Sequence, residues 1–109
     1  MTIQDIVNDL KKRAAPLDFG DYNGFLAIQV SLSDLDHEPF YVEIKDGKLS
    51  VEPYEYHDRQ ANLIVSSGNF MKMVNQKLDP MLAFTTGKLK VEGDLGKAAE
   101  LAELLKKFA

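Results

Sequence analysis

Few residues in this chain are equipped for chemistry. It has two histidines, His37 and His57, and no cysteine. His57 stands beside Asp58 in "YEYHDR", with Tyr54 and Tyr56 close by. A His-Asp pair relays a proton usefully only when it serves a nucleophile held on a sharp, exposed turn. No G-x-S-x-G occurs, and Ser66-Ser67-Gly68 has the composition of a helix cap instead. A second cluster, "SDLDHEP", gathers Asp34, Asp36, His37 and Glu38. Calcium loops space their oxygen ligands as D-x-D-x-D-G with a distal glutamate, and this loop lacks that spacing. A solvated loop tip accounts for it more simply. A zinc site would have to draw carboxylates from separate loops. The expectation is a protein with no catalytic residue, no metal and no cofactor.

Bulk properties narrow the class further. A chain of 109 residues is the size of one domain, and 45% hydrophobic with 28% charged residues fits a globular one. A net charge of −4 argues against nucleic acid as a partner. The charge is uneven: residues 31–60 are acidic and 61–109 mildly basic, an arrangement that could orient the molecule near an anionic surface. Ordinary solvated faces explain so small a difference better. No apolar run approaches the roughly 20 residues that span a bilayer. "MTIQDIVNDL" lacks the basic-then-apolar order of a secretory signal, and Lys107-Phe108-Ala109 is not a Ser-Lys-Leu address. The expected location is cytoplasmic.

The elements follow from periodicity. Ile3, Ile6, Val7, Leu10 and Ala14 recur at helical spacing over 2–15, with Thr2 and Asp5 spaced as a capping box and Pro16 as a stop. From Leu26 the period becomes two: Leu26, Ile28, Val30 and Leu32 share a face, opposite Ala27, Gln29 and Ser31. Phe40, Val42 and Ile44 form the next strand face. Asp46-Gly47 then marks a tight hairpin that sets Ile44 against Leu49, Val42 against Val51 and Phe40 against Pro53. A fourth strand runs through "ANLIVSS", and Gly68 to Lys77 reads as a short helix.

The stretch "LDPMLAFTTGKLKVEGD", residues 78–94, is unusual. Asp79 and Pro80 cap and open a helix that Gly87 closes after two turns. A strand follows with Leu89 and Val91 inward and Lys88, Lys90 and Glu92 outward. The two lysines suit the protection of a sheet edge, with attraction to anionic headgroups as the alternative. Asp94 caps a last helix whose apolar positions are Leu95, Ala98, Leu101, Ala102, Leu105 and Phe108. Helix, four strands, two short helices, strand and helix make an α+β domain with helices on one sheet face.

Residues 61–109 resemble the carboxyl half of the sterol carrier protein (type two) lipid-binding domain. The likeness lies in Gln76-Lys77-Leu78-Asp79-Pro80, Ala83-Phe84, Gly87-Lys88-Leu89-Lys90 and Glu92-Gly93-Asp94, short motifs in the family's order and spacing. The resemblance implies a five-stranded, mostly antiparallel sheet with helices on one face enclosing an apolar tunnel. It also implies binding of a fatty acid, acyl-CoA, phospholipid or sterol without catalysis. The helix from Pro80 would then be one wall of the tunnel. Many relatives carry Met and Gln in the last helix where Ala99 and Ala102 stand here, a change that widens the cavity or removes a polar contact.

On that resemblance the ligand-lining set is Met73, Val74, Met81 and Phe84, with Ile28 and Val30 from the sheet and Leu101, Ala102 and Leu105 from the last helix. Phe108 would close one end. Flexible thioethers suit a pocket that accepts varied shapes, although a stripe of this kind often serves as plain core. The implied partner is a lipid, with transient membrane contact and a monomeric or homodimeric state. The rival reading is a non-catalytic dimerisation or substrate-presenting module for a lipid-modifying enzyme, favoured by alanines that allow close helix approach.

Overall fold

A computed structural model describes residues 2–22, 24–35 and 38–108. Helix α1 covers Ile3–Ala14, and its start is a complete capping box: the Thr2 hydroxyl accepts from the Asp5 amide while the Asp5 carboxylate accepts from the Thr2 amide. These bonds hold the Asp5 carboxyl below the usual carboxylate range. Ile6, Val7 and Leu10 are buried against the second and third strands.

Five strands follow the alternation of the sequence: β1 Leu26–Leu32, β2 Glu38–Lys45, β3 Lys48–Glu52, β4 Ala61–Val65 and β5 Leu89–Gly93. They lie in the order β3-β2-β1-β4-β5, with every neighbouring pair antiparallel except β1 and β4. The β2–β3 turn places Asp46 at φ 53° and Gly47 at φ 76°, the two left-handed positions that a tight primed turn demands. Ile44 faces Leu49 and Val42 faces Val51 as the pattern requires. The ladder stops at Tyr41 and Glu52, so Phe40 does not meet Pro53. Phe40 instead packs edge-to-face on Phe70 of the next helix, with centroids 5.4 Å apart.

Helix α2, Ser67–Val74, starts one residue earlier and ends three earlier than the periodicity suggests. Ser66 caps it by accepting from the Asn69 amide, and Asp34 accepts from both the Ser67 amide (2.8 Å) and hydroxyl (2.6 Å). One member of the acidic loop therefore anchors a helix, and the two bonds hold the Asp34 carboxyl below its ordinary range. Asp36 and His37 lie outside the described residues. The early end of α2 is marked by Gln76 in the left-handed region at φ 60°. Helix α3 is Pro80–Thr85, and α4, Leu95–Leu105, runs into a 3-10 turn, Lys106–Phe108.

The two sheet faces do different jobs. Leu26, Ile28, Val30, Phe40, Val42, Ile44, Leu63 and Val65 form the core with α1, α2 and α4. On the other face Gln29, Ser31 and Asn62 are also buried, so all seven residues of β1 are out of water. Their polar groups satisfy one another: Ser31 Oγ and Gln29 Nε2 both donate to Asn62 Oδ1, and Asn62 Nδ2 donates to Glu92. The β3–β4 loop lies over this face. There the Tyr56 amide donates to Gln29, its ring packs edge-on to Tyr41, and its hydroxyl donates to Glu43 at 2.7 Å. That bond, with burial, pushes the Tyr56 phenol up to about 12.

Two expectations follow. Gly93 sits at φ 96°, where an added Cβ would come 2.7 Å from the Gln60 carbonyl. Gly93→Ala should therefore cost about 2–4 kcal/mol in denaturant unfolding, combining left-handed strain with overpacking. Tyr56 should ionise late, near pH 12, in an alkaline absorbance titration. Its folded pKa lies above the unfolded value, so its contribution to stability is complete below about pH 10 and is lost as pH rises through about 12. Tyr56→Phe should abolish that late step.

Candidate apolar ligand site

Helix α3 is six residues long because Pro80 opens it and Gly87, at φ 81°, closes it. Asp79 caps it by accepting from the Met81 amide. Two routes tie its carboxyl end down: the Lys88 amide donates to the Ala83 carbonyl at 2.8 Å, and the Thr85 and Thr86 hydroxyls donate to the Leu82 carbonyl. Ala83 is the one residue of α3 that is buried. The helix therefore stands on a small foot and leaves its larger side chains at a margin.

That margin bounds a groove of about 270 Å³. Its floor is Leu63 of β4 with Leu89 and Val91 of β5. One wall is α3 with Pro80, Met81 and Phe84, backed by Met73 of α2. The other is α4 with Leu95, Ala98, Ala99, Ala102 and Leu105. The small side chains of α4 leave space where longer ones would meet α3. Polar groups occur only at the margin: Asp79, and a Glu103–Lys106 ion pair at 3.1 Å. Met81, Phe84 and Leu95 keep 64%, 42% and 58% of their surface in water, so the hollow is a groove open along one side rather than a closed tunnel.

The residues singled out from sequence divide accordingly. Met73, Met81, Phe84, Ala102 and Leu105 line the groove. Ile28, Val30, Val74 and Leu101 do not; they are packed inside the core, on the layer between sheet and helices. Phe108 is buried against Phe19, with centroids 6.2 Å apart, and its carbonyl accepts from Arg13, so it pins the end of α4 rather than plugging the groove. Sequence reasoning missed Leu63, Leu89, Val91 and Leu95. The inward alternation of Leu89 and Val91 on an edge strand next to a short helix was the available signal.

No comparable machinery surrounds the other candidates. His57 and Asp58 are exposed, and Ser66 is occupied as a cap. Among the described residues no three His, Cys, Asp or Glu side chains come together as a metal site. No described helix is long and apolar enough to cross a membrane.

An α+β domain with a mixed five-stranded sheet, helices on one face and an apolar groove beneath the last helix is thus defined. Residues 7–106 match the SCP-2 sterol transfer family, and the chain belongs to that family. Among its relatives, hydroxysteroid dehydrogenase-like protein 2 of Xenopus tropicalis is 37% identical over 71% of this chain. Human sterol carrier protein 2 is 33% identical over 58%. The chain spans 19% and 12% of their respective lengths. Among solved structures, apo sterol carrier protein 2 from Yarrowia lipolytica is 25% identical at a TM-score of 0.62, covering 93% of this chain and 73% of that one. Palmitated SCP2L2 from Aedes aegypti shares the fold at a TM-score of 0.67 and 20% identity, over 96% and 95% of the two chains. Membership of that family supports a general lipid-binding or transfer role for the domain.

If the alanines of α4 make the space, filling them should remove it. Ala99→Met with Ala102→Met should weaken uptake of a fluorescent fatty acid at least about tenfold, while the thermal midpoint moves little because both side chains reach into an open groove.

Proposed function

We propose that the domain holds a fatty acid, acyl-CoA, phospholipid or sterol-like molecule in the groove and carries it through the cytoplasm without chemistry of its own. The observation that carries this reading is the void itself. A concave groove that holds apolar side chains such as Met81, Phe84 and Leu95 in water is the form a ligand site takes, and an apolar guest would cover them. The palmitated relative from Aedes aegypti supports an acyl chain as one occupant.

Magnitudes limit how the ligand sits. Burying about 14 methylenes at about 0.8 kcal/mol each yields on the order of 11 kcal/mol gross. Association consumes at least about 4 kcal/mol, leaving roughly micromolar affinity, weak enough for release. A half-open groove of about 270 Å³ falls below the usual roughly 300–1,000 Å³ of ligand pockets and covers only part of such a chain. Binding therefore involves closure of α3 or a shift of α4, and exchange follows the reverse movement.

A second reading has its own support. In the matched relatives the similar region is 19% and 12% of the length, an arrangement that suits a domain presenting a ligand to an enzyme. Against the dimerisation form of that reading, Ala98, Ala99 and Ala102 border the groove, so close helix approach no longer explains them. Size-exclusion chromatography of the isolated chain with bound lipid separates the two: a lipid-loaded monomer favours the carrier.

The direct test is titration of delipidated protein with a fluorescent fatty acid. Saturable one-to-one uptake is expected, and Phe84→Asp should abolish it with the fold intact by circular dichroism. Absence of saturable binding to acyl and sterol probes alike would overturn the proposal.

A further inference from the structure

We propose that the free edge of β5 pairs with β5 of a second copy of this chain around a two-fold axis, so that two grooves share one floor. The pairing is read from the strand itself, and its consequence for uptake rests on the lipid-binding reading. The Asp94 amide donates to the Gln60 carbonyl, next to the Ala61–Gly93 pair. In an antiparallel ladder this turns the backbone groups of Lys90 and Glu92 toward β4 and those of Leu89, Val91 and Gly93 outward. Among the described residues no bond beyond the ladder takes up those outward groups.

Charge selects both the partner and the register. Residues 88–94 read Lys-Leu-Lys-Val-Glu-Gly-Asp. Laid antiparallel on itself with Val91 at the axis, the segment opposes Lys88 to Asp94 and Lys90 to Glu92, each twice. The same register sets the outward groups of Val91 against each other and those of Leu89 against those of Gly93. An odd slip would misalign the outward groups, and a slip of two would set Lys90 on Lys90 or Glu92 on Glu92. All four charged residues are exposed, and none forms an ion pair with another described residue. Lysine by itself guards an edge, but here its complement lies on the same strand.

The opposite edge of the sheet is closed. Strand β3 has a similar alternation, Lys48-Leu49-Ser50-Val51-Glu52, but α1 packs on it and Lys11 holds Glu52 at 2.9 Å. Val51 keeps only 2% of its surface in water. With one open edge, assembly stops at two chains instead of running into a filament. The groove gains most from that contact. Leu89 and Val91 are its floor, which ends at the edge of β5, and α3 stands on this strand with the Lys88 amide bonded to the Ala83 carbonyl. A second β5 prolongs the floor and offers cover to the exposed Met81, Leu82 and Phe84 of α3. Two grooves of about 270 Å³ on a common floor reach the roughly 300–1,000 Å³ of ordinary ligand pockets. A lipid-loaded dimer of this kind remains a carrier.

Sedimentation velocity of the full chain over a dilution series reads association, and uptake of a fluorescent fatty acid along the same series reads the groove. The wild-type chain should form a dimer that loosens with salt, and uptake should be tighter where the dimer prevails. Lys90→Glu and Glu92→Lys should each weaken association at least about tenfold, because each reversal sets two like-charge pairs across the axis. An equimolar mixture of the two variants should dimerise again, since each chain supplies the charge the other lacks. Lys88→Glu, which leaves the Asn62–Glu92 bond in place, serves as the second reversal if Glu92→Lys melts early. Lys48→Glu on β3 should associate like the wild type. A wild-type chain that stays monomeric, a dimer indifferent to the reversals, or folded variants that fail to pair when mixed would overturn the proposal. So would uptake equal in monomer and dimer, which removes the shared floor. A lipid-loaded monomer would do the same while leaving the carrier reading intact. A dimer that takes up no fatty acid would strike the ligand reading alone.

Discussion

The shortness of α3 is the constraint on which the site depends. Six residues rise only about 9 Å along a helix. Proline at one end and a left-handed glycine at the other prevent extension either way. The facing surfaces, β4 and β5 below and α4 beside, offer more apolar area than a helix of that length covers. Only Ala83 is inserted; Met81 and Phe84 remain at the edge. Alanine at 98, 99 and 102 keeps the far wall from filling the gap. A hollow follows from these lengths and side-chain sizes together, with no strained backbone needed at its walls.

A hollow of this kind persists only on a rigid base. Here the base is the layer of Ile28, Val30, Leu101 and Val74, fully packed between the central strands and the helices. The ends of the helical layer are fastened separately. Asp34 holds the start of α2, while Arg13 and Phe19 hold the end of α4 through Phe108. On the reverse side of the sheet, the Gln29–Ser31–Asn62 network satisfies its own polar atoms and fixes β4 alongside β1. Among the described residues no buried side-chain nitrogen or oxygen lacks a partner. That completeness matters, because a parallel pair with no hairpin between its strands has no turn to set its register.

Much of this was legible in the chain. The hairpin at Asp46-Gly47 and the caps at Thr2, Asp79 and Asp94 follow from local chemistry that tertiary context did not override. The element order and the five-stranded sheet followed from periodicity joined to the motifs of residues 76–94. What sequence could not settle was depth. Ile28 and Phe84 are both apolar at plausible spacings, yet one is sealed in the core and the other stands at an opening. Alternation tells which face a residue occupies, and not whether the layer above it is protein or empty. The parallel pairing of β1 with β4 was similarly hidden, since nothing local records which distant strand fills the centre of a sheet.

The central claim is that the space between α3, α4 and β5 is a seat for an apolar guest. Nuclear Overhauser contacts from an isotope-labelled fatty acid to the methyl groups of the chain test it most directly. The account predicts contacts to Met73, Met81, Ala102 and Leu105, with none to Ala27 on the reverse face of the sheet. Contacts clustered on that reverse face, or a saturated complex with none in the groove, would contradict it.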